Sequence, residues 1–155
     1  MTMSIKIKLS CLALSFAILV SLEAYAGNSG NTSPQGMPTL GEVSSNFDDA
    51  KDIKGILIDA KYGVPVISSA DGIIRMSGED DRYGTYVSVY HQNGYMTYYL
   101  FLQDVKVNNG DRVKRGETIG YTGKRNDGKY GIVYKVSENG TFINPVPFIQ
   151  NIEEN

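Results

Sequence analysis

From about residue 40 onward the apolar positions alternate with polar ones in short runs, and no stretch holds a helical period for three turns. The clearest run is TYVSVYHQNGYMTYYLFL, residues 85–102, in which Val87 and Val89 alternate with Tyr86, Ser88 and Tyr90. Asn93-Gly94 interrupts it, and both residue types accept the positive φ angles of a type I′ hairpin turn. The run therefore predicts strands over 86–92 and 95–101. Tyr98 and Tyr99 are adjacent, so one faces the core and the other a groove or solvent. Asn139-Gly140 marks a second hairpin and Asn109-Gly110 a third turn. Further strands fit 43–47, 55–58, 65–68, 72–77, 118–121 and 130–137. The expected fold class is all-β and antiparallel. The closing NPVPFIQNIEEN carries two prolines that no central strand tolerates. It is expected to pack over an edge or end of the sheet through Val146 and Phe148, with 151–155 as a tail.

The chain ahead of residue 40 reads differently. Lys6 and Lys8 precede an apolar run from Leu9 to Val20, and Ala24-Tyr25-Ala26 follows as a small-x-small cleavage site. This is the pattern of a secretory signal peptide over 1–26, implying export to the periplasm or cell envelope. The run is well short of the roughly 20 residues that span a bilayer, so no stable membrane span is expected after cleavage. GNSGNTSPQGMPT, residues 27–39, has little to bury and is expected to be a flexible linker. Residues 40–150 remain for one small domain.

Composition narrows the chemistry. The single cysteine, Cys11, lies in the leader, so the rest of the chain has neither disulfides nor thiolate ligands. The single histidine, His91, stands beside the first hairpin turn, where it reads as a strand-end residue. Fifteen basic and 17 acidic residues are mixed along the chain without a basic stripe, which argues against nucleic acid as a partner. Glu79, Asp80 and Asp81 read as a solvated loop in preference to a calcium site. A serine nucleophile would need His91 as its base with a carboxylate behind it, and no nucleophile-elbow sequence is present.

VKVNNGDRVKRGETIGYTG, residues 105–123, sets Val107, Val113 and Ile119 around Gly110, Gly116 and Gly120. Biotinyl and lipoyl carrier domains share this pattern with lysostaphin or LytM-type zinc peptidases. A carrier needs a modifiable lysine beside methionine, and no Met-Lys pair occurs past the leader. The longer succession from YGVPV through ADG, YGTYV and HQNGY to VNNGDRVKRGETIG resembles the LytM-type core in its order. SENGTFINPVPFI is similar to that family's closing hairpin, and GEVSSNF to its opening segment. The resemblance covers about residues 40–149 and implies an antiparallel, barrel-sandwich-hybrid-like β core with a groove.

What the resemblance implies about chemistry is a contrast. Members of that family hold zinc through the His and Asp of an H-x-x-x-D stretch and the second His of an H-x-H strand. Here Ile53 and Leu57 stand at the first two places, Gly131 and Val133 at the paired histidines, and Phe101 at a remaining catalytic histidine. No catalytic residue, metal or other cofactor is therefore expected. Ile53, Leu57, Phe101, Gly131 and Val133 are the candidate partner-binding groove instead. KGILI is similar to the ligand-less strand of degenerate LytM proteins that activate peptidoglycan amidases. The implied partner is an amidase or another cell-wall hydrolase. The alternatives are a stand-alone peptidoglycan-binding or inhibitory module and, behind it, an active zinc endopeptidase.

Overall fold

The computed structural model describes residues 32–47 and 53–150, and the signal peptide and tail expected at 1–26 and 151–155 lie outside them. In chain order the strands are β1 (Gly41–Val43), β2 (Ile56–Ala60), β3 (Pro65–Ile67), β4 (Gly72–Asp80), β5 (Gly84–Tyr90), β6 (Tyr95–Val105), β7 (Arg112–Val113), β8 (Thr118–Lys124), β9 (Tyr130–Glu138) and β10 (Thr141–Ile143). One turn of helix, α1 (Val146–Ile149), closes the described chain. All pairings are antiparallel, in the order β1-β2-β9-β8-β6-β5-β4-β7, with β10 on β9 and β3 on β8.

The all-β reading holds, and the Asn-Gly pairs do what their chemistry allows. Asn139 and Gly140 have φ of 49° and 84° and join β9 to β10 through a two-residue loop, Glu138 facing Thr141. Asn93 and Gly94, at 72° and 78°, turn β5 into β6. The loop there is one residue longer than expected: His91 N–H donates to the Tyr95 carbonyl, and Gln92–Gly94 form a 3₁₀ turn. The two tips touch, because Asn139 N–H donates to the Gly94 carbonyl at 2.9 Å. A Cβ on Gly94 would stand 2.1 Å from Asn139 Oδ1. Gly94→Val is expected to cost about 1 to 3 kcal/mol, from the positive φ and the displaced Asn139 side chain. Gly140→Val, with nothing within 4 Å of its Cβ, carries the φ cost alone. Equilibrium urea unfolding of both variants checks the order.

Residues on alternate positions form the core. Ile56 and Ile58 of β2, Val87 and Val89 of β5, Tyr99 of β6, and Ile132, Tyr134 and Val136 of β9 are all 0% exposed. Tyr98 and Tyr99 part as expected, Tyr99 into this core and Tyr98 onto the other face, half-buried. Tyr99 and Tyr134 carry hydroxyls into the core, and both meet the Ser69 Oγ, at 3.1 and 2.8 Å. No buried side-chain N or O among the described residues is left without a partner.

Two further expectations need correction. The strand expected at 43–47 is β1, ending at Val43. Beyond it the chain stays beside β2, with Ser44 N–H donating to the Leu57 carbonyl at 2.9 Å and Ser45 Oγ accepting the Leu57 N–H at 3.0 Å. The linker expected at 27–39 does not run free over its described part. Ile67 N–H donates to the Pro38 carbonyl, Gly36 N–H to that of Phe148, and Arg115 reaches Ser33 O at 2.9 Å and Gln35 Oε1 at 3.1 Å. Backbone pairing and Arg115 hold the segment, and Met37 packs against the core. Finally, the C-terminal segment packs against the core through Val146 and Phe148 as expected, but as helical α1, with Asn144 Oδ1 accepting the Val146 N–H.

Candidate functional site

The strand β6 changes partners halfway. Tyr95–Leu100 pair with β9, Leu102–Val105 pair with β8, and Phe101 stands at the fork with a φ of 63°. A left-handed conformation is unfavourable for an aromatic residue, by about 1 to 2 kcal/mol. The surroundings enforce it: Phe101 N–H donates to the Tyr83 carbonyl at 3.0 Å and the ring lies over Gly84, whose Cβ would stand 3.0 Å from Phe101 Cδ1. The ring is half-buried and outside the core cluster.

Beside the fork, the register lines up residues from four strands on the face opposite the core. Leu57 on β2 faces Val133 on β9, Val133 faces Leu100 on β6, and Leu100 faces Tyr86 on β5. Val133 and Leu100 are each 6% exposed and make a floor, while Leu57 and Tyr86 are more open. Ile53 is half-buried in the segment leading into β2. One wall carries Lys135, whose Nζ lies 5.6 Å from the Tyr83 ring and 5.4 Å from that of Phe142.

At the β2 end of the row stands a buried cation. Arg125, its side chain 2% exposed, donates from Nη1 to the Ile58 carbonyl at 2.9 Å. Its Nη2 reaches Asp59 Oδ1 at 2.5 Å and Asp127 Oδ2 at 2.9 Å. A hydrogen bond from Ser44 and the ion pair with Arg125 hold the Asp59 carboxyl below its usual range, and the Arg125 hydrogen bond does the same for Asp127. The guanidinium lies over Gly131, where a Cβ would come within 2.6 Å of Arg125 Nη1 and 1.9 Å of the Ile58 oxygen. Gly131 itself has a φ of 139°.

His91 belongs to none of this. It is 0% exposed at the base of the hairpin, with Nδ1 2.8 Å from the Asp71 carbonyl and Nε2 2.9 Å from Thr97 Oγ1. The carbonyl only accepts, so Nδ1 carries the proton and Nε2 accepts from Thr97. Burial lowers the imidazole pKa, opposed by the bond to Asp71. A histidine with a lowered folded pKa contributes stability that is complete above its unfolded value of about 6.5 and is lost as pH falls through the folded one. Melting temperature is therefore expected to fall between pH 7 and pH 5, and His91→Gln to lose that dependence.

The model of peptidase family M23 matches residues 51–145. The chain belongs to peptidase family M23. It is 33% identical over 112 residues to the peptidoglycan DD-endopeptidase ShyC of Vibrio cholerae, covering 72% of this chain and 24% of that protein. To the murein hydrolase activator EnvC of Escherichia coli it is 28% identical over 113 residues, covering 72% and 27%. This chain thus spans about a quarter of the length of these relatives. The crystal structure of a putative peptidase M23 from Pseudomonas aeruginosa superposes with a TM-score of 0.70 at 26% identity, over 79% of this chain and 53% of that one. LytM-type relatives therefore include both hydrolases and an activator of hydrolases.

The family implies zinc, and the residues present do not fit it. Ile53, Leu57 and Val133, which the resemblance sets at the ligand places, offer only hydrocarbon, both nitrogens of His91 are engaged elsewhere, and Arg125 sets a positive charge over Gly131. Among the described residues no three His, Cys, Asp or Glu side chains are grouped to hold a metal ion. No helix among them is long and apolar enough to cross a membrane. The structure brings Leu57 and Val133 together and sets Phe101 beside Leu100, while Gly131 serves Arg125 and lines no apolar surface. Sequence reasoning missed Arg125, Leu100 and Tyr86.

Proposed function

We propose that this M23 domain is catalytically silent and acts in the cell envelope by binding a peptidoglycan amidase and stimulating it. One observation carries the reading: Leu57 and Val133, which the resemblance sets at two of the zinc-ligand places, lie in an apolar row, Leu57–Val133–Leu100–Tyr86, with Phe101 at its side. A row of this kind, with Leu57 and Tyr86 half-buried, offers no activated water but suits the apolar face of a partner helix. The similarity to a murein hydrolase activator supports the same reading.

A second reading, binding to the wall itself, has an observation of its own. Tyr62 and Tyr130 form an edge-to-face pair 5.5 Å apart and are 54% and 50% exposed, a surface on which sugar rings can stack. Pull-down on isolated cell wall against immobilised amidase separates the two.

Dye release from labelled peptidoglycan tests the leading proposal, with the protein alone and with purified amidase. Release by the protein alone would sink catalytic silence. Phe101→Ala is expected to lower stimulation at least about tenfold, as loss of an aromatic anchor does. Phe101→Gly relieves the positive φ and removes the same ring, so it should stimulate as poorly while melting no lower than Phe101→Ala. Full stimulation by both folded variants would remove Phe101 from the interface.

A further inference from the structure

We infer that the loop at 68–71 is an acid-sensitive latch: neutral His91 keeps it closed on the strap formed by residues 32–39, and protonation of His91 frees the strap while the sheet stays folded.

The latch is a chain of hydroxyls with one direction. Thr97 Oγ1 lies 3.0 Å from the Tyr99 hydroxyl, which lies 3.1 Å from Ser69 Oγ, and the Tyr134 hydroxyl stands 2.8 Å from that same oxygen. His91 Nε2, 2.9 Å from Thr97 Oγ1, ends the path. Each hydroxyl has one hydrogen to give. Because neutral His91 accepts at Nε2, Thr97 donates to His91, Tyr99 to Thr97, Ser69 to Tyr99 and Tyr134 to Ser69, and every hydrogen finds an acceptor. A protonated imidazole donates from both nitrogens. Thr97 must then turn to Tyr99, Tyr99 to Ser69 and Ser69 to Tyr134, and the last hydrogen, on a tyrosine 0% exposed, has no acceptor left in the chain. A buried donor without a partner is costly, so the path is stable in one direction only.

Ser69 is also where the strap is tied. Its carbonyl accepts from Gln35 N–H at 3.0 Å and from Arg115 Nε at 3.2 Å, and its N–H donates to the Tyr99 hydroxyl. Arg115 N–H donates to Asp71 Oδ1 at 2.8 Å, while the guanidinium holds Ser33 O and Gln35 Oε1. Asp71 gives its carbonyl to His91 Nδ1. Burial opposes protonation of His91 most, the Asp71 carbonyl and carboxylate favour it, and the Arg115 charge opposes it again. The titratable neighbours Tyr95, whose carbonyl accepts the His91 N–H, and Tyr99 are phenols that burial holds above their ordinary range, so they stay neutral in acid. A charged His91 therefore reverses the bonds on Ser69 and sets a second cation against Arg115. The strap yields first, because a segment with little buried apolar surface opens more easily than a sheet ladder, and Met37 is the strap residue that packs against the core. Release lengthens the chain ahead of β1 by about 27 Å when extended. It also uncovers the edge of β3, which Pro38 and Thr39 now pair.

The test is amide hydrogen exchange of isotope-labelled protein from about pH 7.5 to about pH 4.5, corrected for intrinsic exchange, beside the titration of the imidazole signal. His91 is the single histidine of the chain, so that signal is unambiguous. The amides of Gln35 and Gly36 are expected to lose at least about tenfold in protection as the ring titrates, while those of β5, between β4 and β6, keep theirs. In His91→Gln, whose side chain donates to Asp71 and accepts from Thr97 at any pH, the strap should stay protected throughout. Strap amides that hold their protection while the ring titrates overturn the latch, as does a ring that stays neutral over the whole range. Loss of protection by the strap and β5 together overturns it too, since that is unfolding of the domain. If His91→Gln does not fold, the parent protein decides: release must share its midpoint with the ring, and a separate midpoint assigns it to another group.

Discussion

A histidine placed at position 131 is expected to destabilise the domain by at least about 3 kcal/mol, without a gain in metal binding. The reason is in the backbone. Gly131 has a φ of 139°, a region that side-chain-bearing residues rarely adopt, and its Cβ would stand 1.9 Å from the carbonyl oxygen of Ile58 on the neighbouring strand. A flexible neighbour could swing aside, but Ile58 is a paired strand residue facing Ile132, and its carbonyl already accepts from Arg125. Gly131→Ala should lose nearly as much as Gly131→His, because the clash begins at Cβ. A fall in melting temperature of roughly 10 °C or more in both variants is the expected result. A Gly131→His protein melting with the parent would mean that β2 and β9 can part to admit the side chain, and that the departure from the zinc site is one of side chains only.

This geometry also shows where sequence reasoning works and where it stops. The Asn-Gly turns were legible because the requirement for positive φ is local, and Asn93, Gly94, Asn139 and Gly140 all meet it. The opposed faces of Tyr98 and Tyr99 were legible for the same reason, since alternation is a property of one strand. The row Leu57–Val133–Leu100–Tyr86 was legible only in part. Leu57 and Val133 were singled out by the resemblance, whereas Leu100 and Tyr86 join them through registers that no local pattern encodes. Arg125 gave no signal at all. It follows a lysine in a polar loop, and its burial depends on a glycine six residues later that makes room for it. The described part of the expected linker was misread because Thr32–Thr39 are held by backbone hydrogen bonds and by Arg115, neither of which leaves an apolar period.

Arg125→Met should be the most damaging single change to a side chain near the groove, with a loss of about 2 to 4 kcal/mol at neutral pH. The guanidinium joins β2 to the loop before β9 through the Ile58 carbonyl, Asp59 and Asp127. Methionine fills similar volume but returns none of these bonds, and it leaves the Ile58 carbonyl and Asp127 without their cation and Asp59 with only Lys129 and Ser44. The carboxylates are 36% and 40% exposed, so water recovers part of their solvation and the loss stays below that of a fully buried pair. Lysine is not expected to rescue, because one ammonium cannot span three acceptors held in a planar fork. Acid provides the independent check. Asp59 and Asp127 have folded pKa values lowered below the ordinary 3.8. Their contribution is present above that value and lost as pH falls through the lowered ones. The parent should therefore lose stability steeply below about pH 4, and Arg125→Met, already without the pairs, should show a shallower acid limb. Parallel acid limbs would mean that the two carboxylates gain nothing from Arg125, and that its burial over Gly131 is packing alone.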